Sequence, residues 1–362
     1  MIVGIWPLPA TDERDFQSTF HPYFLKMELF PTQYSTLSST ALKGHIAAKY
    51  GIAGVSCKFL LHGVSDTYVV ATADAKYILK IYRDAHRSLE EIRGEVELLN
   101  YLKDAGCKVA SPLYDVEGQQ LQQFRAAEGT RYGVLFHFAE GKCFTDLSDS
   151  QLEIMGREMA YNHNFTSIIQ LKNNRREYNT DTTVTQPLRL LEKVFIEFEL
   201  AGEYIMLKQT ASRVVAALAT LGPSGFSYGY CHYDYFPKNF FFDENYNFTL
   251  FDFDFAGKGF LAYDLASFQV SLFFRVLHFG MPVQDAIRSF DLVIASYRQI
   301  RPISDHEVES VPLLGYMLLL FYLCFQYENF DDWSNPFFNA GFVKGRVAAM
   351  SKYLETFYDA DL

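Results

Sequence analysis

CHYDYFPKNFFFDENYNFTLFDFDFAGKG, running from Cys231 to Gly259, sets five Asp or Glu and three Asn among a dense run of aromatics. A segment this apolar reads as buried strands, and buried strands tolerate carboxylates poorly unless something neutralises them. His232, Asp234 and Asn239 are spaced as H-x-D-x-x-x-x-N, and Asp252 follows on the far side of a hairpin whose turn is Asp243 to Asn247. Such a hairpin lays Asn239, ahead of its first strand, beside Asp252, after its second, so two oxygen ligands face one point. A hard cation such as Mg²⁺ takes oxygen ligands and is usually held by one or two protein groups together with substrate phosphates. Asp234, upstream on the loop, reaches the same place as a carboxylate able to orient a hydroxyl and accept its proton.

This is the layout of phosphoryl transfer in kinases, where a catalytic-loop Asp and Asn work with a metal-binding Asp. Metal and nucleotide then account for the acids. H-x-D-x4-N alone would arise by chance in roughly one protein in twenty, so its upstream partners matter. Lys80 stands in YILKIYR, a strand, pointing opposite to Leu79 and Ile81, and Glu95 lies just beside the apolar stripe of the next helix. A strand Lys held by a Glu from the following helix is the cation clamp that such sites aim at the α and β phosphates. Gly63, Val64, Ser65 and Asp66, between two strands, are set to cover phosphates with backbone N–H groups and the Ser65 hydroxyl. The strand ending at Phe138 presents backbone groups of His137 and Ala139 to adenine. The competing reading is a polar loop whose Asp and Asn cap turns, the commonest work of these residues; Lys80 and Glu95, in that order ahead of the acids, weigh against it.

The rest of the chain divides in two. SSTALKGHIAAKYG, Ser38 to Gly51, reads as a helix opened by serine and closed by glycine. Lys58 to Arg83 has strand periodicity over three segments, with a tight connection at Gly63–Asp66 and a hairpin turn near Asp74 and Ala75. Leu89, Ile92, Val96, Leu99 and Leu102 recur at helical spacing ahead of a stop at Gly106. Another strand runs from Arg131 to Gly141, and nearly everything after it reads as helical. The expected fold is α+β: an irregular extension over residues 1–35, a β-rich small lobe over 36–138 and a larger helical lobe over 139–362. Ordered patterning begins just after Met27, which reads as an alternative start.

Composition excludes several classes. A net charge of −11 over 362 residues disfavours nucleic acid and anionic membrane as partners. Cys57, Cys107, Cys143, Cys231 and Cys324 are odd in number and lack CxxC spacing, so neither a disulfide framework nor a zinc site is expected, and a reducing cytoplasm fits. The N-terminus lacks the pattern of a signal peptide. The apolar run Leu313 to Phe325 is too short for a membrane span and reads as a buried core helix.

These motifs resemble the aminoglycoside phosphotransferase-like, or phosphotransferase enzyme, family, which includes homoserine, choline and hydroxylysine kinases and a bacterial stress-response protein kinase. The family's H-G-D-x-x-x-x-N, D-[FW]-[DE] and Y-D-L-A motifs stand here as HYDYFPKN, DFD and YDLA, the last being Tyr263 to Ala266. Upstream, LHGVSDTYVV, YILKIY, EVELLNYL, GVLFHFAEG and GREMAYNH are similar to its nucleotide loop, strand Lys, helix Glu, hinge and early large-lobe helix. The resemblance spans residues 35 to 290 and implies a protein-kinase-like two-lobe fold using ATP and Mg²⁺. It implies Asp234 as catalytic base, Asn239 and Asp252 as Mg²⁺ ligands, Lys80 as phosphate clamp and Glu95 as its partner. Asp264 and His232 would support the loop, and Asp254 would touch metal or substrate. Tyr233 departs from the family's glycine; a tyrosine there implies a slightly different loop or a filled pocket, and bears on substrate class more than on catalysis.

The leading expectation is a kinase that phosphorylates a hydroxyl of a small, amine-bearing molecule, a phosphotransferase with an alcohol group as acceptor. Asp331 and Asp332 point to the cationic group. Two alternatives stand beside it: a Ser/Thr protein kinase, disfavoured because no A-P-E element follows DFD, and a catalytically silent nucleotide-binding protein, disfavoured because Lys80, Asp234 and Asp252 are all present.

Overall fold

Strands β1 (Ser56–His62), β2 (Ser65–Ala71) and β3 (Lys76–Tyr82) form an antiparallel meander, to which the hairpin of β4 (Leu121–Arg125) and β5 (Thr130–His137) adds. The resulting sheet runs in the order β1-β2-β3-β5-β4. In this computed structural model, residues 32, 34–83, 86–329 and 337–358 are described; nearly all of the 1–35 extension, including Met27, and both Asp331 and Asp332 lie outside them. The connection between β1 and β2 is only Gly63 and Val64, so Ser65 and Asp66 belong to β2 and not to a loop. One face of the sheet buries Tyr68, Val70, Leu79, Ile81 and Leu135 with Leu42 and Ile46 of helix α1 (Ser39–Tyr50). Ser38 caps α1 by accepting the N–H of Ala41, and Gly51 ends it at φ +65°.

Helix α2 (Leu89–Asp104) starts on a reciprocal Ser88–Glu91 capping box. Its buried residues Ile92, Leu98, Leu99 and Leu102 share a core with Met155 and Met159 of α3 (Asp149–Thr166). The small lobe's helix is thereby packed on the large lobe. The large lobe continues with α4 (Gln186–Glu197), α5 (Ala201–Thr220), α6 (Ala262–Phe279), α7 (Val283–Arg298), α8 (Asp305–Asn329) and α9 (Ala340–Phe357). Between α5 and α6 lie two short antiparallel pairs, β6 (Tyr228–Cys231) with β9 (Gly257–Phe260) and, nested between them in sequence, β7 (Phe240–Phe242) with β8 (Phe248–Leu250). This is the α+β architecture of a small sheet lobe on a larger helical one.

The apolar run at Leu313 to Phe325 is the middle of α8, which is 25 residues long. By length and composition α8 could cross a membrane, with a mean hydropathy of 1.8 over its most apolar window, yet 83% of that window is buried inside the protein. A helix apolar on all sides needs neighbours on all sides. Gly315 shows how closely they come, since a Cβ there would fall on the hydroxyl of Tyr353, itself bonded to Gln269 Oε1 at 2.7 Å.

Candidate active site

The chain leaves β6 at Cys231 and is shaped at once by a buried carboxylate. Asp264, in the first turn of α6, accepts the backbone N–H of His232 at 3.0 Å and of Tyr233 at 2.7 Å, and His163 Nε2 stands 3.0 Å from it. The other nitrogen of His163 is 2.8 Å from the Tyr297 hydroxyl, which fixes the ring. His232 accepts the N–H of Asp234 on Nδ1 and so donates from Nε2 to the carbonyl of Phe251 at 3.0 Å. Asp264 and His232 thus hold the loop and do not face the crevice. Tyr233 keeps the left-handed backbone (φ +67°) that a glycine adopts without strain. Its ring fills a pocket, stacked 3.4 Å from Tyr178 and nearly parallel to it. Of the two expectations for this position, the filled pocket is what the structure has.

The β7–β8 hairpin turns where expected, with the Asp243 carboxylate accepting the N–H groups of Asn245 and Asn247. Its outermost pair is Phe240 with Leu250, and one step further the N–H of Phe251 donates to the carbonyl of Asn239 at 2.9 Å. Asn239 therefore lies against the segment that leads into Asp252. The amide nitrogen of Asn239 donates to Asp234 Oδ2 at 2.7 Å and to its carbonyl at 2.8 Å. That commitment leaves Asn239 Oδ1 without a hydrogen-bond partner among the described residues. Asp234 also receives the Tyr322 hydroxyl at 2.8 Å and the Lys238 ammonium at 3.1 Å. Burial would lower the Lys238 ammonium, but Asp234 and Asp252 outweigh it and hold it above the usual lysine range.

Lys80 reaches across from β3. Its ammonium is 2.8 Å from Asp252, 3.3 Å from Asp254 and 3.6 Å from Glu95. Burial alone would push it down; the carboxylates of Asp252, Asp254 and Glu95 reverse that and hold it well above the usual range. Asp252, at φ +61°, turns its side chain toward the crevice, where 43% of it is exposed. Burial raises its carboxyl, but the charge and hydrogen bond of Lys80 together with the Lys238 ammonium hold it below the usual aspartate value. Asp254 is different. Its side chain is 1% exposed and ion-paired with Lys80, His86 (2.8 Å) and Arg87 (3.1 Å). Asp254 therefore anchors the connection ahead of α2 through Oδ2, while its Oδ1 lies 3.3 Å from the Lys80 ammonium and has no hydrogen-bond partner among the described residues.

On the nucleotide side the residues divide. Ser65 Oγ is buried at the Gly63 turn with no hydrogen-bond partner among the described residues. Asp66 points away, into the sheet lobe, where Arg131 (3.1 Å), His62 (2.8 Å) and the Tyr34 hydroxyl bind its carboxylate; it is a buried structural acid and not a phosphate contact. The N–H of His137 is spent on the carbonyl of Ser111 at 3.0 Å, so His137 offers adenine no donor. Ala139 has no such bond among the described residues.

The structure thus brings Lys80, Glu95, Asp252, Asp234 and Asn239 to one crevice, with Ser65 at the turn of the neighbouring strand. An orphaned buried hydroxyl, a half-exposed carboxylate and a spare amide oxygen fit a phosphate chain and a hard cation. No three His, Cys, Asp or Glu among the described residues cluster so as to hold a metal by themselves, so such an ion would rest on Asn239 and Asp252 and complete its shell with other oxygens. Sequence reasoning missed Lys238, Tyr322, His86, Arg87 and Arg175. Lys238 carried a signal, as a lone cation one helical step from Asp234 in an aromatic segment; Tyr322 carried none within an apolar helix.

The family model for the phosphotransferase enzyme family matches residues 56–302. The chain is similar to a homoserine kinase of Phenylobacterium zucineum, 26% identical over 265 residues that make up 73% of this chain and 77% of that one. Among solved structures it is similar to an amicoumacin kinase in complex with AMP-PNP, Ca²⁺ and Ami, with a TM-score of 0.68 and 18% identity over 88% of this chain and 94% of that one. A microcompartment-associated aminopropanol kinase has the same TM-score, 0.68, and identity, 18%, over 88% of this chain and 98% of its own. At such identity the structural likeness carries the kinase-like fold alone, while the family model carries membership. The chain belongs to the phosphotransferase enzyme family.

Proposed function

We propose that the protein transfers the γ-phosphate of ATP, with Mg²⁺, to a hydroxyl of a small amine-bearing molecule. The observation that carries this reading is the meeting of Lys80 from the small lobe and Asp252 from the large lobe at 2.8 Å, in the crevice that Asp234 also borders. Homoserine and aminopropanol kinases among the similar proteins support a hydroxyl acceptor that bears an amine.

In this reading Asp234 orients the acceptor hydroxyl and takes its proton, at an oxygen whose direction Tyr322 and Lys238 fix. Lys80 exchanges its contact with Asp252 for the phosphates, and Glu95 keeps it in place. Asn239 Oδ1 and Asp252 would hold the cation, which when bound neutralises charge on the transferring group. Ser65 and the backbone around Gly63 cover the phosphates, and Ala139 meets the adenine. The charge of −11 argues against nucleic acid and membrane as partners, and five free cysteines are consistent with a cytoplasmic setting.

Asp234→Ala tests the assignment. ADP formation with a panel of amino alcohols and hydroxy amino acids should fall by about 10²–10⁴-fold, while the melting temperature and the ATP-induced thermal shift stay near those of the parent protein. Turnover that survives the change removes Asp234 from the role of base.

A further inference from the structure

The turn between β1 and β2 has little of its own to hold it. It is two residues long, one of them glycine, and β1 is an edge of the sheet. The N–H of Gly63 donates to the carbonyl of Ser65 at 3.0 Å, and at the base of the turn His62 pairs across the strands with Asp66. What closes it from outside is the segment of residues 34–37, which precedes α1 and lies upstream of the span that the family model matches. The Tyr34 hydroxyl donates to Asp66 Oδ1, and His62 Nδ1 stands 2.9 Å from that hydroxyl and 2.8 Å from the same Oδ1. A carboxylate oxygen only accepts, so the hydrogen between His62 and Asp66 sits on Nδ1. Burial, and after it the Asp66 carboxylate, pushes the Tyr34 hydroxyl up to about 12, which keeps it a donor at neutral pH.

Arg131 ties the same acid to the strand of Lys80. Its buried guanidinium reaches Asp66 Oδ2 at 3.1 Å, the carbonyl of Ser35 at 2.7 Å, and the carbonyls of Tyr82 and Ile81 at 3.1 and 3.3 Å. It also lies over the Tyr34 ring, 5.1 Å from its centre. Ser35 Oγ adds a bond to Glu128 in the β4–β5 turn at 2.6 Å. Asp66 is fully buried among these partners, and its neighbour in the chain is Ser65, whose buried hydroxyl has none among the described residues. One carboxylate therefore joins three things: the segment ahead of α1, the turn set to cover phosphates, and the end of β3 just beyond Lys80. A buried carboxylate keeps its place only while its donors keep theirs.

We infer that Tyr34 is a positioning residue for the phosphate chain of the nucleotide: through His62 and Asp66 it holds the Gly63 turn, with the Ser65 hydroxyl and the backbone N–H groups around it, over the crevice. This rests on the kinase reading above and adds to it a residue outside the matched family span. Tyr34 acts through its neighbours and does not itself meet the ligand. Removing its hydroxyl leaves Asp66 Oδ1 with one donor in place of two, and the turn gains freedom where, in that reading, the phosphates lie. The adenine end, at Ala139, is served by a different strand and keeps its contacts. The effect therefore grows with the length of the phosphate chain. A residue that only stabilised the small lobe would shift every ligand alike, or none.

The experiment uses the full chain and two readouts. Calorimetry measures the Kd for AMP-PNP with Mg²⁺, for AMP and for adenosine, and ADP formation from ATP is followed with the same acceptor panel as for Asp234→Ala. Tyr34→Phe should raise the Kd for AMP-PNP and the KM for ATP about tenfold, the worth of one hydrogen bond to a charged group, while the Kd for AMP and for adenosine stays within about twofold. Tyr68→Phe is the control, because the Tyr68 hydroxyl donates to the carbonyl of Leu37 at 2.7 Å and so ties the same segment further along β2; it should lower Tm and leave AMP-PNP binding unchanged. AMP-PNP binding untouched by Tyr34→Phe, an equal loss for all three ligands, or the same loss in Tyr68→Phe overturns the inference and leaves the kinase reading intact. The selective loss in a protein that forms no ADP with any acceptor upholds the role of Tyr34 and overturns the kinase reading. A parent protein that binds AMP-PNP no more tightly than adenosine overturns both.

Discussion

Tyr233 occupies a left-handed backbone conformation that costs a non-glycine residue about 1–2 kcal/mol, and it is fully buried. The cost is offset by packing, because the ring stacks on Tyr178 and meets Tyr263 and Phe321. Replacing it with the family's glycine relieves the backbone and empties the pocket. Truncation of a buried aromatic costs about 3–5 kcal/mol, so Tyr233→Gly should lose about 2 kcal/mol or more of stability in chemical denaturation, despite matching the family motif. At this scale the sequence was a good guide where chemistry dictates residue type. Lys80, Glu95, Asp234, Asn239 and Asp252 are legible because a Lys–Glu pair and three oxygen-bearing side chains are rare in apolar surroundings without a common purpose. Asp66 was misplaced, and the His137 N–H with it, because sequence spacing locates a residue near the crevice but not the direction of its side chain or the partner of its N–H. Arg131 claims Asp66, Ser111 claims the His137 N–H, and His86 with Arg87 claims one oxygen of Asp254.

Among the elements, α8 does the most, and its start is held by a carboxylate. Glu307 accepts the N–H and hydroxyl of Ser304 at 3.0 and 2.9 Å and the N–H of Ser227 at 2.8 Å, joining the head of α8 to the strand that leads into the catalytic loop. Burial raises the Glu307 carboxyl, but these hydrogen bonds outweigh it and hold it below the ordinary glutamate value. A depressed folded value means that the stabilisation is fully present above the unfolded value of about 4.3 and is lost as pH falls through the folded one. Glu307→Gln should therefore cost about 1–3 kcal/mol at pH 7, with the gap to the parent protein constant down to about pH 5 and narrowing below about pH 4. Most elements were readable from pattern. The α1 caps, the three-strand meander, α2 and the β7–β8 hairpin all announce themselves by period, caps or turn residues. Strand β4, LQQFR, was missed because its polar residues give little alternation, and the length of α8 was underestimated because its ends are polar while its middle is not.

For the molecule as a whole, the relation between lobes was not legible, since it depends on contacts between residues far apart in sequence. Arg175 is the centre of that relation, bonding Glu91 of α2 on one side and the segment from Phe253 to Ala256 on the other. Gly94 makes the approach possible, as a Cβ there would meet the Arg175 side chain at 2.9 Å. Glu97 extends the seam by accepting the N–H groups of Lys172 and Asn173. Arg175→Met removes the bonds to four carbonyls that tie the lobes together, and should speed hydrogen exchange throughout α2 by about tenfold or more while leaving the β3–β5 pairing protected. KM for ATP should rise along with a fall in kcat, because Glu95 rides on the loosened helix.

That seam decides what kind of machine the protein is. Kinases in which the corresponding helix swings use the movement as an on–off control. Here the helix is riveted along several of its turns to the opposite half, so displacing it would break many bonds together, at several kcal/mol. The pairing of Lys80 with Glu95 is consequently in place before anything enters the crevice, with no swing of the helix needed to make it.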